Sequence, residues 1–279
     1  MTDILIIAHL TYREAQRRRI LWVALGLGAV FVLLYGLGFY FIHRDMTRYT
    51  PPGRDIALST GFNMVVMSGL YVVSFMGVML AVLTSVGTLA GEVSSHTIQS
   101  LAVKPLRRSA LVLGKWLGLA LMLALYIAML VLGIVAITWA ISGYWLPRVL
   151  EGLGLIILQA WVMLTVNILG GTRLPTIANG VVAFMLYGLA FIGGWIEQFG
   201  ALAHNETAVD IGIITSLLVP GEAMWKKAAA IMQPPMMSAL SLSPFSMGSA
   251  PSAAMILYTG GYIVTLLALA VYSFNRRDL

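Results

Sequence analysis

The sequence predicts an all-α integral membrane protein with six transmembrane helices. An amphipathic interfacial helix precedes them, and short helices lie in the outer loop between the fifth and sixth. Three observations carry this. Of the 279 residues, 59% are hydrophobic and only 10% charged, where soluble domains carry about 25% charged residues; a soluble fold would have almost no polar surface to cover its core. Uncharged runs recur at the length that crosses about 30 Å of hydrocarbon, roughly 20 helical residues. Those runs are continuous rather than alternating, which favours helices over a barrel.

Residues 1–19 form the interfacial helix. At 100° per residue Asp3, His9, Arg13, Gln16 and Arg17 fall on one side, and Ile4, Leu5, Ile7, Ala8, Tyr12 and Ala15 on the other. Ile6 and Leu10 do not fit this division. A basic amphipathic helix of this kind lies flat at a membrane surface, although the charge alone is also what a simple topogenic anchor requires. The spans follow at 20–43, 61–91, 110–142, 152–172, 174–196 and 252–274. Span one is too long for the 7–15-residue apolar region of a cleaved signal, and Phe39, Tyr40, Phe41 and His43 stand where small residues would mark a cleavage site. Span two is expected to begin near Gly61. Pro234, Pro235, Pro244 and Pro251 break the last uncharged run, leaving 252–274 as its uninterrupted helix.

The charges orient the chain. Six spans put both termini on one side, together with Arg13, Arg17, Arg18, Arg19, Lys104, Arg107, Arg108, Lys115, Arg173, Arg276 and Arg277. The other side receives only Arg44, Arg48, Arg54, Arg148, Lys226 and Lys227. The excess of basic residues marks the cytoplasmic side, so a multi-pass protein of the cytoplasmic (inner) membrane is expected, with both termini in the cytoplasm. The net charge of +6 then reflects orientation and implies no nucleic-acid partner.

The loop at 197–251 lies outside. Its segment "IGIITSLLVPGEAMWKKAAAIM" is interrupted at Pro220-Gly221, and neither half can span a bilayer; two short helices are expected. The loop's methionines, Met224, Met232, Met236, Met237 and Met247, are read as adaptable packing in preference to a Cu(I) site of thioethers.

Several chemistries are excluded. There are no cysteines, hence no disulfides or thiolate metal sites, and the four histidines lack ligand spacing, so no metal site is expected. The single Gly-Lys pair, Gly114-Lys115, is followed by Trp116, so no P-loop exists. No HExxH or GxSxG motif appears, and no catalytic residue is expected. Polar groups within the spans are modest, and such residues mostly join helices. Asn63, Ser68, Ser74, Asn179 and Tyr187 are the candidates for lining a path.

The most polar interior stretch is "GEVSSHTIQSLAVKPLRRSALVLGKWLG", Gly91 to Gly118. Ser94, Ser95 and Thr97 offer caps for a short helix, with Gln99 as a capping-box partner, and Pro105 stops it. Ser109 is the expected N-cap of span three. The stretch resembles the permease family of type-2 ABC transporters, in which an acid, Thr-x-x-x-Leu, a Pro with basic residues, and Gly-Lys follow in order. Glu92, Thr97, Leu101, Pro105, Arg107, Arg108, Gly114 and Lys115 match it. The resemblance covers nearly the whole chain, and the subgroup it looks closest to includes the permease for nitrous-oxide reductase maturation.

The resemblance implies a permease subunit of an ABC exporter. The cytoplasmic region 92–104 would be a coupling helix, with Glu92, Thr97 and Leu101 docking into a separate ATP-binding cassette subunit and Arg13 and Arg17 touching the same subunit. ATP and Mg²⁺ would be bound there, with no cofactor on this chain. A second permease copy (homodimer) or a paralogue would complete the path between spans two and five, in contact with membrane lipid. Two other readings are an ATP-driven maturation or mechanotransmission component without bulk transport, and a six-helix channel or membrane-bound enzyme.

Overall fold

The computed structural model describes residues 2–49, 55–88, 107–234 and 251–276. Among the described residues there are nine helices and no strand: α1 (Thr2–Arg17), α2 (Arg19–Tyr49), α3 (Asp55–Ser85), α4 (Arg108–Ser142), α5 (Val149–Gly171), α6 (Thr176–Leu202), α7 (Glu206–Leu218), α8 (Gly221–Ile231) and α9 (Ala253–Asn275). Six of them, α2 to α6 and α9, are long and apolar enough to cross a membrane, and the expected fold class is the one found. The expected coupling region 92–104, with Glu92, Thr97 and Leu101, lies outside the described residues.

Three local expectations change. Span two begins at Asp55 rather than near Gly61, because no breaker separates the two. Gly61 serves packing instead: a Cβ there would stand 2.5 Å from the Met46 Cε of α2. Span one continues past residue 43 to Tyr49. At 1.5 Å per residue its 31 residues reach about 46 Å, so the turn carrying Arg44, Asp45 and Arg48 projects beyond the hydrocarbon. The N-cap of α4 is Arg107 in extended conformation, without a side-chain cap. Ser109 falls inside the first turn.

The core forms around α3, α4 and α5. Leu70, Leu123, Ile127, Ile134, Ile156 and Met163 are almost fully enclosed. Trp116 of α4 stacks edge-on to Trp161 of α5 at 5.6 Å. Their indole N–H groups donate across the seam, Trp116 to the Thr165 hydroxyl (2.9 Å) and Trp161 to the Ala120 carbonyl (3.1 Å). Two aromatic rings therefore bury their area without stranding a donor. The peripheral helices differ sharply: 61% of the apolar window of α3 is buried, against 11% in α2 and 17% in α9. The exposed apolar faces of α2 and α9 belong in lipid or against another chain.

α7 and α8 meet at 109° across Val219-Pro220. The break is where Pro removes a backbone donor. The pair folds back onto α6 and α5 at the end of the bundle opposite α1.

Candidate coupling site and membrane path

At the amino-terminal end, α1 is docked on the first turns of α4. Ile7, Thr11 and Ala15 are buried there, at the i, i+4, i+8 spacing of one helical face. Gly114 and Gly118 make the approach possible. A Cβ at Gly114 would lie 2.7 Å from the Ile7 Cβ, and one at Gly118 would lie 2.6 Å from the Ala8 carbonyl oxygen. This small-x-x-x-small spacing lets backbones meet in a membrane. Leu5, Ile6 and Leu10 lie off that stripe and are exposed, so α4 covers only part of the apolar surface of α1. Arg13 and Arg17 are exposed, and Arg18 pairs with Glu14 at 2.6 Å.

Lys115, one position beyond Gly114, is only 5% exposed. Its ammonium donates to the Thr88 carbonyl at 3.0 Å, just past the end of α3. A buried charge of this kind is costly unless held by such bonds, so it ties the first turns of α4 to the chain just past α3. The last turns of α3 are softened at the same place. Thr84, Ser85 and Thr88 each donate their hydroxyl to the carbonyl four residues back, at 2.7, 2.6 and 2.9 Å, a pattern that slightly destabilises and bends helices. Two amides hold the softened end. Asn167 of α5 donates to the Val82 carbonyl at 3.2 Å, and Asn179 of α6 donates to Val86 at 3.4 Å and to Asn167 at 2.9 Å. The segment 92–104 thus begins four residues beyond Thr88, which α4 holds, and α5 and α6 hold Val82 and Val86 just before it.

The path candidates separate into two groups. Asn63, Ser74 and Asn179 are enclosed within this chain. The Asn63 amide donates to the Tyr144 hydroxyl (3.0 Å) and the Met232 carbonyl (3.3 Å), tying α3 to the ends of α4 and α8. Ser74 donates to Gln159 of α5 at 2.6 Å. Ser68 is exposed and donates to its own helix, at Met64. Tyr187 is half-buried and begins an aromatic stripe along α6. Phe75 of α3 lies 6.1 Å from it, and Phe191, Trp195 and Phe199 continue at ring separations of 6.2, 6.4 and 5.6 Å. An aromatic-lined face therefore joins α3 and α6, the second and fifth spans.

At the opposite end sits a charged cluster that the sequence reading did not single out. Glu197 of α6 pairs with Lys226 of α8 at 2.8 Å. Glu222 is buried beside them, packed against Gly194, where a Cβ would lie 2.5 Å from the Glu222 Cγ. Its Oε2 has no hydrogen-bond partner among the described residues. Burial pushes the Glu222 carboxyl up to about 7; the Lys226 ammonium pulls it down and the Glu197 carboxylate pushes it further up. The sequence signal was available: Glu222 follows Pro220-Gly221 inside an apolar run, and an acid there has little water to reach. Met224 and Met232 are fully buried, in line with packing. Among the described residues, no three metal-binding side chains cluster.

The comparison with family models matches residues 5–279 to one described as "ABC-2 family transporter protein". No curated protein matches the chain.

Proposed function

The chain belongs to the ABC-2 family of transporter proteins, and from that premise we propose that it is the permease subunit of an ATP-driven exporter. It is a multi-pass membrane protein. Two copies, or one copy and a paralogue, pair to form the path, and a separate ATP-binding cassette subunit docks on each. In this reading the amino-terminal end with α1 faces the cytoplasm, which the excess of basic residues there supports.

The observation that carries this reading is the grip on span two by Lys115, Asn167 and Asn179, beside α1. A coupling helix at 92–104 must pass motion from the cytoplasm to the spans. It would do so through a carbonyl held by α4 and a helix end softened by three hydroxyls, with Arg13 and Arg17 free on α1 to meet the same partner. Glu92, Thr97 and Leu101 are the proposed docking residues. On the membrane side, Ser68, Tyr187 and the Phe75 stripe are the proposed lining of the path, while Asn63, Ser74 and Asn179 join helices.

A specific observation also favours the second reading, a maturation or force-transmitting component like that of the nitrous-oxide reductase subgroup: most intramembrane polar groups are closed within the chain, leaving few to line a hydrated route. ATP-dependent redistribution of a fluorescent phospholipid in vesicles holding the whole complex would favour export. The experiment for the shared core of both readings is purification. The chain alone is expected to hydrolyse no ATP, having no phosphate-cradling loop, and to co-purify with a P-loop subunit as a two-plus-two complex. Robust hydrolysis by the isolated chain would overturn it.

A further inference from the structure

We propose that the cleft between α2, α3 and α4 binds one acyl chain of an anionic phospholipid, with the headgroup phosphate against Arg19. The cleft encloses about 360 Å³, within the 300–1,000 Å³ range of small-molecule sites. Its walls are apolar, with Val23 and Leu27 on α2 and Met79 and Leu83 on α3. Two polar groups line it. The Tyr126 hydroxyl is already committed, donating to the Ala24 carbonyl at 3.2 Å and so tying α2 to α4. The other belongs to Arg19, the first residue of α2 and of the α2 wall.

Depth and charge choose the occupant. From Arg19 to Leu27 the helix rises about 12 Å at 1.5 Å per residue, and the same number of residues separates Phe75 from Leu83 on the facing wall. One leaflet of a hydrocarbon core about 30 Å thick is about 15 Å deep, so the cleft runs the depth of a single leaflet and closes near the midplane. Val23 and Leu27 are 69% and 60% exposed, so the cleft opens sideways to the bilayer. At the headgroup level Arg19 makes no ion pair among the described residues. The nearest acid in sequence, Glu14, is taken by Arg18 at 2.6 Å. An apolar trough of leaflet depth under an uncompensated guanidinium is complementary to an anionic lipid, each basic residue near the surface contributing about 1 kcal/mol. The site does not depend on the exporter reading, only on α2 to α4 crossing the membrane.

The chain has no cysteine, so Met79→Cys gives a single attachment point for a bimane fluorophore inside the cleft. The full chain is reconstituted in phosphatidylcholine vesicles containing a small fraction of acyl-brominated phosphatidylglycerol or acyl-brominated phosphatidylcholine. Brominated phosphatidylglycerol is expected to quench at about fivefold lower mole fraction, the factor corresponding to one arginine. Arg19→Gln should bring the two lipids to parity, and Arg44→Gln at the far end of α2 should not. Ala24→Trp, which fills the cleft, should weaken quenching by both. Equal quenching of the parent by the two lipids would mean ordinary annular lipid and overturn the proposal. So would an unquenched label accompanied by disulfide-linked dimers of unlabelled Met79→Cys, because a second copy would then occupy the cleft.

Discussion

Gly118→Leu is expected to lift α1 from α4 and to cost the protein about 1–3 kcal/mol or more, the range for overpacking a tight site. The atom nearest the new Cβ would be the Ala8 carbonyl oxygen, at 2.6 Å, with the Thr11 Cβ at 2.9 Å. A backbone oxygen cannot rotate away as the end of a flexible side chain can, so the helix itself must move. Thr11 is 6% exposed in the docked state and reports the movement. A cysteine placed by Thr11→Cys should react slowly with a water-soluble maleimide in the parent and many-fold faster in Gly118→Leu. Gly26→Ala is the control, since nothing lies within 4 Å of a Cβ there. Slow labelling in Gly118→Leu would show that α1 is not held by this contact.

Glu222→Gln is expected to remove a pH dependence of stability. The native carboxyl titrates near 7, well above the ordinary value of about 4.3 for an exposed glutamate. Between those values the native state holds a proton that the unfolded chain has released. Stability therefore falls as pH rises through that window, by about 1.4 kcal/mol per unit and ~4 kcal/mol in all. The loss is complete above the native value and absent below the unfolded one. In thermal melts of the purified protein, Glu222→Gln and the parent should melt together at pH 4, and the variant should melt higher at pH 8. A parent that gains stability relative to the variant as pH rises would show that the Lys226 ammonium, not burial, dominates the site.

Much of this architecture is legible in the sequence because bilayer physics leaves few choices. An uncharged run such as residues 116–142 is long enough to cross a bilayer as a helix, and Pro220-Gly221 marks a break. Helix ends were less legible. Asp55 opens α3 six residues before Gly61 because glycine in a membrane helix marks close packing as often as a boundary, and only the position of Met46 decides which. The same ambiguity hides in Gly114-Lys115. As a motif it signals the family; as structure the glycine admits Ile7 and the lysine reaches back 27 residues to Thr88. No periodicity encodes that reach, because it depends on how α3 and α4 cross. Ile6 and Leu10 looked misplaced for a similar reason: a division into one polar and one apolar side was assumed, whereas α1 packs only the stripe of Ile7, Thr11 and Ala15 on α4 and leaves Ile6 and Leu10 exposed.

The docking proposed for residues 92–104 brings an ATP-binding subunit to act on span two through the grip at Thr88. Its most direct measurement is retention of that subunit on the purified chain as single residues change. Glu92→Lys inverts a charge at the proposed interface, where a like-charge juxtaposition costs several kcal/mol, and Leu101→Asp puts a charge at another of the proposed docking residues. Each should lower affinity for the subunit at least tenfold, about 1.4 kcal/mol, while the chain still inserts in the membrane. Arg107→Gln, at the exposed start of α4, should leave affinity unchanged. If Glu92→Lys and Leu101→Asp retain the subunit as fully as Arg107→Gln does, the stretch is only a polar loop and the coupling account is contradicted.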